Sequence, residues 1–245
     1  MKSNKISQAV ILSAGLGTRL RPLTDTMPKV MVPFLGKPLL LHHIEQLKKH
    51  GITDIFINLH YLPKVVMEYF GDGSKFGVHI TYAIEKDEIL GTAGGVKNFE
   101  GKLKNDFFVI YGDVFSLVDY TKMSEAYFKK KDTLGMTIVG DTDHPEDSDL
   151  VEVTDDLLFI KIYPKPHTVL PKKYKAMRAL FIFNEKILKY IPPSTRYEID
   201  HQLLPKILEA QQTFYGYECG DFLKDVGTLE RYKKVEEYLK NRIKK

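Results

Sequence analysis

The chain has 245 residues, of which 43% are hydrophobic and 28% are charged, with one cysteine and a formal net charge of +4. This length can bury a full core, and the composition is that of a soluble globular protein. A single cysteine excludes an internal disulfide framework. No apolar run approaches the ~20 residues of a membrane helix. The lysines and arginines are too scattered along the chain to form a nucleic-acid-binding patch. The first apolar run is too short for a signal peptide. We therefore expect a cytoplasmic protein with no nucleic-acid or membrane partner.

A loop of small residues follows the first predicted strand. Ala9 to Leu12 is a short apolar run that is typical of a buried strand. Gly15 and Gly17 have no Cβ, so the backbone can adopt positive φ and approach a ligand closely. Successive N–H groups in such a loop form an anion-binding concavity, and Arg19 and Lys29 add positive charge. The pattern predicts a polyphosphate site where the strand meets the loop.

The two best-known phosphate motifs are both incomplete here. A P-loop requires Gly-Lys-Ser/Thr at the start of its helix, and none follows Gly17. The dinucleotide fingerprint requires a third small residue where Leu20 stands, which argues against a dehydrogenase. Taken alone, a Gly-x-Gly after a strand is more often an ordinary tight turn.

The first third of the chain alternates predicted strands and helices. This order is typical of a parallel sheet with helices on both faces. After the first strand, the predicted elements are a helix from Pro38 to Gly51, a strand over Asp54–Leu59, a helix from Pro63 to Gly71, and a strand over Val78–Ile84.

The remainder begins with a second small-residue loop, Glu85 to Gly95, which leads to a helix near Val96. A buried strand, Phe107–Tyr111, then ends in Gly112-Asp113, and ligands of open α/β sheets bind beyond such strand ends. The later predicted elements are helices over Tyr120–Lys131, Glu185–Tyr190, Asp200–Gln211 and Leu229–Arg242; strands over Leu134–Val139, Leu150–Val153, Leu158–Tyr163, Arg178–Phe183, Phe214–Glu218 and just before Asp225; and loops over Asp141–Asp149 and Pro164–Lys175. Since no repeat or Gly/Ser linker divides the chain, we expect one domain over residues 1–245, with a nucleotide-binding half (1–140) and an acceptor-binding half (141–245).

Several ordered motifs resemble those of the sugar-1-phosphate nucleotidyltransferases, including the mannose-, heptose- and glucose-1-phosphate enzymes. The resemblance covers nearly the whole chain and is most specific near its start. It is carried by Gly15-Leu16-Gly17-Thr18-Arg19-Leu20-Arg21-Pro22-Leu23-Thr24, Pro28-Lys29-x-Met31-x-Pro33, Gly36-Lys37-Pro38, Leu90-Gly91-Thr92-Ala93-Gly94, Tyr111-Gly112-Asp113, and Asp225-Val226-Gly227-Thr228. Glu198 and Asp200 also fall near an acidic position that precedes Leu-Pro in many members.

The resemblance implies a Rossmann-like α/β fold, with a mixed, mostly parallel sheet sandwiched by helices, of the nucleotide-diphospho-sugar transferase (GT-A-like) type. It implies Mg²⁺-dependent transfer of a nucleotidyl group from an NTP to a sugar 1-phosphate, with release of pyrophosphate, by a monomer or homo-oligomer. The implied site residues are Arg19 and Lys29 for catalysis; Leu12, Ala14, Gly15, Gly17, Thr18, Arg19, Glu85, Gly91 and Thr92 for the nucleotide; Asp149, Lys165 and Glu198 for the acceptor; and Asp113 and Asp225 for the metal.

Elementary chemistry agrees with this assignment. Attack of one phosphate oxygen on an α-phosphorus asks mainly for positioning and charge neutralisation. Asp113 and Asp225 can supply carboxylates to Mg²⁺, while Arg19 stabilises the departing pyrophosphate and Lys29 the α-phosphate region. An aspartate after a strand is often only a turn residue, but Thr228 is the better N-cap, which leaves Asp225 available to a metal.

Other candidate side chains have no chemistry assigned. Arg21 is expected to be solvated or structural. The histidines, His42, His43 and His60, lack metal-ligand spacing and are expected to be helix and loop residues. Covalent catalysis is not indicated, because neither Ser13 nor Cys219 has a base within a recognisable motif.

The acceptor half departs from the family pattern. Many members carry Glu-Lys-Pro where this chain has Pro164-Lys165-Pro166, so a sugar-binding carboxylate is missing. Ser148-Asp149 replaces a Tyr-Gly pair, and Ala179 replaces a glycine. The sequence therefore leaves the acceptor open, including a non-sugar phosphate such as phosphocholine or a phosphonate.

Base choice depends on residues 12–14 and the loop over 85–95. An ionised Glu85 accepts hydrogen bonds, which favours the N–H groups of guanine or the amino group of cytosine. We expect GTP with a hexose or heptose 1-phosphate, and CTP next. Two separate alternatives remain. Glu85 could instead be a solvated loop carboxylate beside Lys86 and Asp87. The chain could also be a non-catalytic, nucleotide-binding regulatory relative, although the presence of Arg19, Lys29, Asp113 and Asp225 together argues against that.

Overall fold

The computed structural model describes residues 5–167 and 169–243. Its strands are β1 (Gln8–Leu12), β2 (Pro33–Phe34), β3 (Lys37–Pro38), β4 (Asp54–Leu59), β5 (His79–Ile84), β6 (Asp106–Tyr111), β7 (Val114–Ser116), β8 (Thr133–Gly140), β9 (Leu150–Val153), β10 (Phe159–Tyr163), β11 (Lys175–Asn184), β12 (Thr213–Tyr217) and β13 (Leu223–Asp225). Its α-helices are α1 (Leu39–Lys49), α2 (Pro63–Phe70), α3 (Gly91–Lys97), α4 (Tyr120–Phe128), α5 (Leu204–Glu209) and α6 (Leu229–Ile243). None of the helices within these ranges is long and apolar enough to cross a membrane.

The predicted class, a mixed sheet with flanking helices, is confirmed, but some elements differ from their predicted form. The helix near Val96 begins earlier, at Gly91, because the N–H groups of Ala93 and Gly94 donate to the distant carbonyl of Tyr197 (2.9 and 3.0 Å). Helix α4 ends at Phe128, where a tight turn replaces the helix predicted to Lys131.

The helix predicted over Asp200–Gln211 is divided. A π-helical turn, Ile199–Leu203, precedes α5, and Pro205 lies in the first turn of α5. Proline has no N–H to donate, so a regular α-helix cannot run through this point without losing a hydrogen bond. The Glu185–Tyr190 segment is a 3₁₀ helix, and the predicted loop over Pro164–Lys175 contains Thr168, which lies outside the described residues.

The described residues form two compact units. Unit I consists of residues 7–89, 110–119 and 221–243, and unit II of residues 5–6, 90–109, 120–167 and 169–220. Strand β6 contributes its last two residues to unit I and its first four to unit II.

Unit I is built on parallel strands. Strand β4 pairs with β1 on one side and with β5 on the other, and helices α1 and α2 lie between these strands in the chain. The register places Leu12, Asn58 and Ala83 side by side, so the carboxyl ends of the three strands meet at one edge. That edge is where ligands of parallel sheets bind.

A second feature of unit I is the packing of α6, which follows Asp225 in the chain. The antiparallel strands β7 and β13 and the apolar face of α6 share one buried cluster. Its members are Phe34, Leu39, Phe115, Val226, Val235 and Leu239. Burial of these side chains anchors the turn that carries Asp225.

Unit II is largely antiparallel. Strand β11 pairs antiparallel with β8 and β9, β9 pairs antiparallel with β10, and β12 pairs parallel with β8. Strand β11 is longer than predicted, from Lys175 to Asn184, because it pairs with both neighbours.

Candidate active site

The loop after β1 has one position that requires glycine. Gly17 has a φ of 67°, and a Cβ there would lie 3.0 Å from Thr24 Cγ2 and 3.1 Å from Lys29 Cβ. The buried Thr24 donates its hydroxyl to the Gly17 carbonyl at 2.8 Å and closes the loop. Gly15 does not adopt positive φ, contrary to the prediction, but it is exposed and a Cβ there would meet no atom within 4 Å. Its backbone is thus open to a ligand.

The basic residues of this loop differ in their surroundings. Thr18 and Arg19 lie on an exposed 3₁₀ turn, and Arg19 has no hydrogen bond or ion pair to the described residues. Arg21 pairs with Asp25 at 3.4 Å on the surface, as expected for a solvated residue. Of the two arginines, Arg19 is therefore the one whose guanidinium has no partner among the described residues.

Lys29 and Asp113 form an ion pair, with Lys29 Nζ 2.5 Å from Asp113 Oδ2. The Lys29 side chain is only 11% exposed. The residue is the first of a short 3₁₀ turn that follows Pro28. Asp113 lies in the turn between β6 and β7. The preceding Gly112 is required there, because a Cβ would lie 2.8 Å from the Leu12 carbonyl oxygen.

Asp225 is held by two donors. Its Oδ1 accepts the Gly227 N–H and its Oδ2 pairs with Arg231 Nη1, each at 2.5 Å. Thr228 is the N-cap of α6, as predicted, because its Oγ1 accepts the Arg231 N–H at 3.2 Å. Asp225 is not the N-cap, but Arg231 reaches back from the first turn of α6 to pair with it, and its binding of a metal stays a prediction.

These groups converge around Gly227. A Cβ at Gly227 would lie 2.6 Å from Asp225 Oδ1, 2.7 Å from Lys29 Nζ and 3.4 Å from Asp113 Oδ2. Two carboxylates aimed at one point are the donor set that Mg²⁺ prefers, with phosphate oxygens and water completing its shell. Asp113 and Asp225 therefore fit a divalent cation, and Lys29 and Arg231 balance their charge in this structure.

Glu85 is buried at the carboxyl end of β5, with 5% exposure. The alternative that it is a solvated loop carboxylate is wrong. Its Oε1 accepts a hydrogen bond from Asn58 Nδ2 at 2.8 Å, and Asn58 Oδ1 accepts the Ser13 N–H at 2.8 Å. Sequence analysis missed Asn58, although a polar residue inside an apolar, fully covered strand is a signal that could have found it.

Gly91 and Thr92 begin α3, against Glu198. The Thr92 N–H and hydroxyl both donate to Glu198 Oε2, at 2.9 and 2.8 Å. A Cβ at Gly91, whose φ is 74°, would lie 2.8 Å from Glu198 Oε1. The structure thus gives Glu198 a role in holding this helix start, and its binding of an acceptor stays a prediction.

Asp149 and Lys165, both predicted to bind the acceptor, lie together in unit II. The Lys165 N–H donates to Asp149 Oδ1 at 3.1 Å. Asp149, Asp200 and His201 also present ligand atoms within 4.8 Å of one another. Burial, and next the charge of Asp149, raise the pKa of Asp200 to about 6.

We expect this shift to make stability depend on pH. The folded-state pKa of Asp200 lies above its ordinary value of 3.8, so folding favours the protonated form and the free energy of unfolding falls as pH rises from about 4 to 6. Asp200→Asn should remove this loss, so the variant should gain about 2–3 kcal/mol of stability over the wild type between pH 4 and pH 7.

Urea unfolding of the wild type and the variant at pH 4 and pH 7 measures this difference. Asp155→Asn, at an exposed carboxylate of the same unit, is the control and should leave the pH dependence unchanged. Equal pH dependence in wild type and Asp200→Asn would contradict the assignment.

The histidines are helix and loop residues, as predicted. His43 on α1 is fully buried, and burial lowers its pKa to about 4, against the opposing effect of hydrogen bonding to the Gly112 backbone. It is therefore neutral at pH 7 and packs beneath the turn that carries Asp113.

The comparisons with known proteins define the class. Residues 8–242 match the family described as nucleotidyl transferase. The UTP–glucose-1-phosphate uridylyltransferase of Synechocystis sp. is 32% identical over 239 residues, which are 92% of this chain and 61% of that protein. The mannose-1-phosphate guanylyltransferase of Mycobacterium tuberculosis is 32% identical over 228 residues, 91% of this chain and 62% of that protein.

A solved structure agrees with these sequence matches. HddC from Yersinia pseudotuberculosis, complexed with GMP-PN, superposes with a TM-score of 0.75 at 25% identity, covering 96% of this chain and all of that one (100%). The chain belongs to the nucleotidyl transferase family, and its resemblance to the sugar-1-phosphate nucleotidyltransferases and their fold is confirmed. It spans about three fifths of the length of the two relatives named above.

Proposed function

We propose that this chain catalyses the Mg²⁺-dependent transfer of a nucleotidyl group from an NTP to a sugar 1-phosphate, with release of pyrophosphate. The observation that carries the proposal is the convergence of Lys29, Asp113 and Asp225 around Gly227. These charges suit a reaction in which two highly charged phosphate groups must approach each other. Membership of the nucleotidyl transferase family supports the same reaction class.

In the proposed reaction, a phosphate oxygen of the acceptor attacks the α-phosphorus of the NTP. The new P–O bond forms as the bond from the α-phosphorus to the bridging oxygen breaks, and pyrophosphate leaves with those electrons. Asp113 and Asp225 would hold the Mg²⁺, which neutralises phosphate charge when bound. Lys29 stabilises charge at the α-phosphate and Arg19 at the departing pyrophosphate, and neither transfers a proton.

The nucleotide is proposed to be GTP. The backbone of Leu12, Ala14, Gly15, Gly17 and Thr18 would contact it, with Gly91 and Thr92 at the second loop. Glu85 is a buried acceptor, which suits the N1–H and N2–H₂ of guanine. The relative from M. tuberculosis is named as a guanylyltransferase, and HddC was solved with GMP-PN, which support the same base.

The acceptor is proposed to be a hexose or heptose 1-phosphate. Lys165 supplies a positive charge for its phosphate and Asp149 an acceptor for its hydroxyls. The two residues are neighbours in the fold, because the Lys165 backbone N–H donates to Asp149 Oδ1 at 3.1 Å. A cytidylyltransferase is the second candidate, because Glu85 would also accept a hydrogen bond from the cytosine amino group.

A matrix of four NTPs against phosphorylated acceptors, read by pyrophosphate release with and without Mg²⁺, tests the proposal. We expect release with GTP and a hexose or heptose 1-phosphate, and none without Mg²⁺. A clear preference for UTP or dTTP would overturn the choice of GTP without affecting the reaction class. Nucleotide binding with no turnover for any pair would indicate a non-catalytic relative.

A further inference from the structure

A buried amide connects the two segments assigned to the base. Asn58 is 2% exposed and lies on β4 between Leu12 of β1 and Ala83 of β5 in the parallel register. Its side chain joins the Ser13 N–H on one side to the Glu85 carboxylate on the other, each at 2.8 Å. Asn58 therefore contacts the residues that follow β1 and β5, at the edge where the nucleotide is proposed to bind.

The orientation of this amide is set by the backbone. The Ser13 N–H can only donate, so the Asn58 oxygen must face it and the Asn58 NH₂ must face Glu85. The NH₂ in turn requires an acceptor, which the Glu85 carboxylate supplies through Oε1. A single backbone donor thus fixes the polarity of the whole chain of hydrogen bonds.

The main chain of Glu85 is held independently of Asn58. The Glu85 N–H donates to the Leu59 carbonyl at 2.8 Å, and His60 Nδ1 lies 2.6 Å from the Glu85 carbonyl oxygen. Loss of the Asn58 amide would therefore remove a hydrogen bond that orients the Glu85 carboxylate, while the Glu85 backbone stays in place. Such an effect changes what the site selects more than whether the strand forms.

We propose that Asn58 is a positioning residue for base selection: it holds Glu85 as an oriented hydrogen-bond acceptor. It thereby favours bases with an exocyclic amino donor, such as guanine or cytosine, over uracil and thymine, which offer only N3–H. It acts through Glu85 and Ser13 and does not touch the nucleotide. This inference rests on the proposed function, to which it adds the residue that sets the base preference.

The test is a reversal of hydrogen-bond polarity. In N58D the Ser13 N–H keeps its acceptor, but two carboxylates then face each other. In E85Q the Asn58 NH₂ donates to the side-chain oxygen of the new glutamine. The NH₂ group of that glutamine then faces the base, where the wild type presents an acceptor. In the double variant N58D/E85Q the side-chain NH₂ at position 85 donates to the carboxylate at position 58. The side-chain oxygen at position 85 then faces the base as an acceptor, and the net charge equals that of the wild type.

Equilibrium binding of GTP, CTP and UTP, measured by titration calorimetry, reads the preference. We expect each single variant to lower the ratio of GTP to UTP affinity about tenfold, because N58D removes the donor that orients Glu85 and E85Q turns an NH₂ donor toward the base. The double variant should recover the ratio to within about threefold of wild type. N105D, at an exposed asparagine, adds the same charge as N58D and should change nothing.

Two results would overturn the inference: an unchanged ratio in N58D, or a double variant whose loss is the product of the single losses. If N58D does not fold, E85Q is compared with the double variant, which must show the higher ratio. Pyrophosphate release by the wild type is measured separately, so failure of the proposed reaction is distinguished from failure of this inference.

Discussion

Asp113→Asn and Asp225→Asn are each expected to lower nucleotidyl transfer by at least ~10²-fold, because each removes a carboxylate of the proposed Mg²⁺ site and so weakens the binding of the cation that would neutralise the phosphate charge. Asparagine keeps the volume of aspartate but is a much weaker ligand for Mg²⁺. Both carboxylates lie near Gly227, and each is paired with its own cation, so the two are substituted separately. Pyrophosphate release across a Mg²⁺ titration measures the loss.

Folding should survive both substitutions. Each variant leaves a cation, Lys29 or Arg231, without its carboxylate, but the Asp225–Arg231 pair is partly exposed and pairs of that kind contribute about 0–1 kcal/mol. Thermal unfolding should therefore change little for Asp225→Asn, and it should shift further for Asp113→Asn, which leaves the nearly buried Lys29 ammonium without its partner. Glu68→Gln, at an exposed carboxylate on α2 in the same unit, controls for charge and should keep wild-type turnover. Near-normal Mg²⁺-dependent turnover in either aspartate variant would remove that residue from the proposed metal site.

Elements with local start and stop signals were predicted from the sequence with their observed bounds. Strand β4 is apolar in its interior and buried on both faces, and its prediction over Asp54–Leu59 is confirmed. Helix α2 begins at Pro63 and ends at Phe70, before Gly71, whose φ is 56°. Proline at a first turn and glycine after a last turn act through the backbone of their own neighbours, so a linear reading suffices.

Elements whose ends depend on distant residues were not predicted. Helix α3 begins at Gly91 because Tyr197 and Glu198, more than a hundred residues further on, accept its first N–H groups. No local pattern over 85–95 reveals such partners. The antiparallel pairing of β7 with β13 was not predicted either, because the two strands are far apart in the chain and each has only three residues.

The candidate site shows the same division. Motifs identified Lys29, Asp113 and Asp225 as candidate site residues. The ion pair between Lys29 and Asp113, however, joins residues that are 84 positions apart in the chain. Arg231 lies only six positions from Asp225, yet its reach depends on the turn at Gly227 and on the helix start at Thr228. Contacts of this kind follow from the fold, and the sequence alone could not assign them.

Lys29→Ala and Arg19→Ala are expected to lower kcat ~10²–10³-fold, the usual effect of removing a preorganised charge that stabilises a transition state. The two residues start from different positions. Lys29 is nearly buried and paired with Asp113, so its ammonium is already held beside a carboxylate of the proposed metal site. Arg19 is exposed and unpaired within the described residues, so it is available to a leaving pyrophosphate. Steady-state kinetics with varied NTP separate kcat from KM.

Arg21→Ala is the matched control, because Arg21 is a second exposed arginine two residues away that already pairs with Asp25. We expect it to keep kcat within about threefold of wild type, as surface ion pairs contribute little. If Arg19→Ala or Lys29→Ala raised KM for the NTP and left kcat unchanged, the residue would contribute equally to ground-state and transition-state binding. Its catalytic assignment would then be wrong, while a role in holding the nucleotide would remain. A fall in kcat for Arg19→Ala but not for Arg21→Ala places the charge requirement at one guanidinium of the loop rather than in its overall positive field.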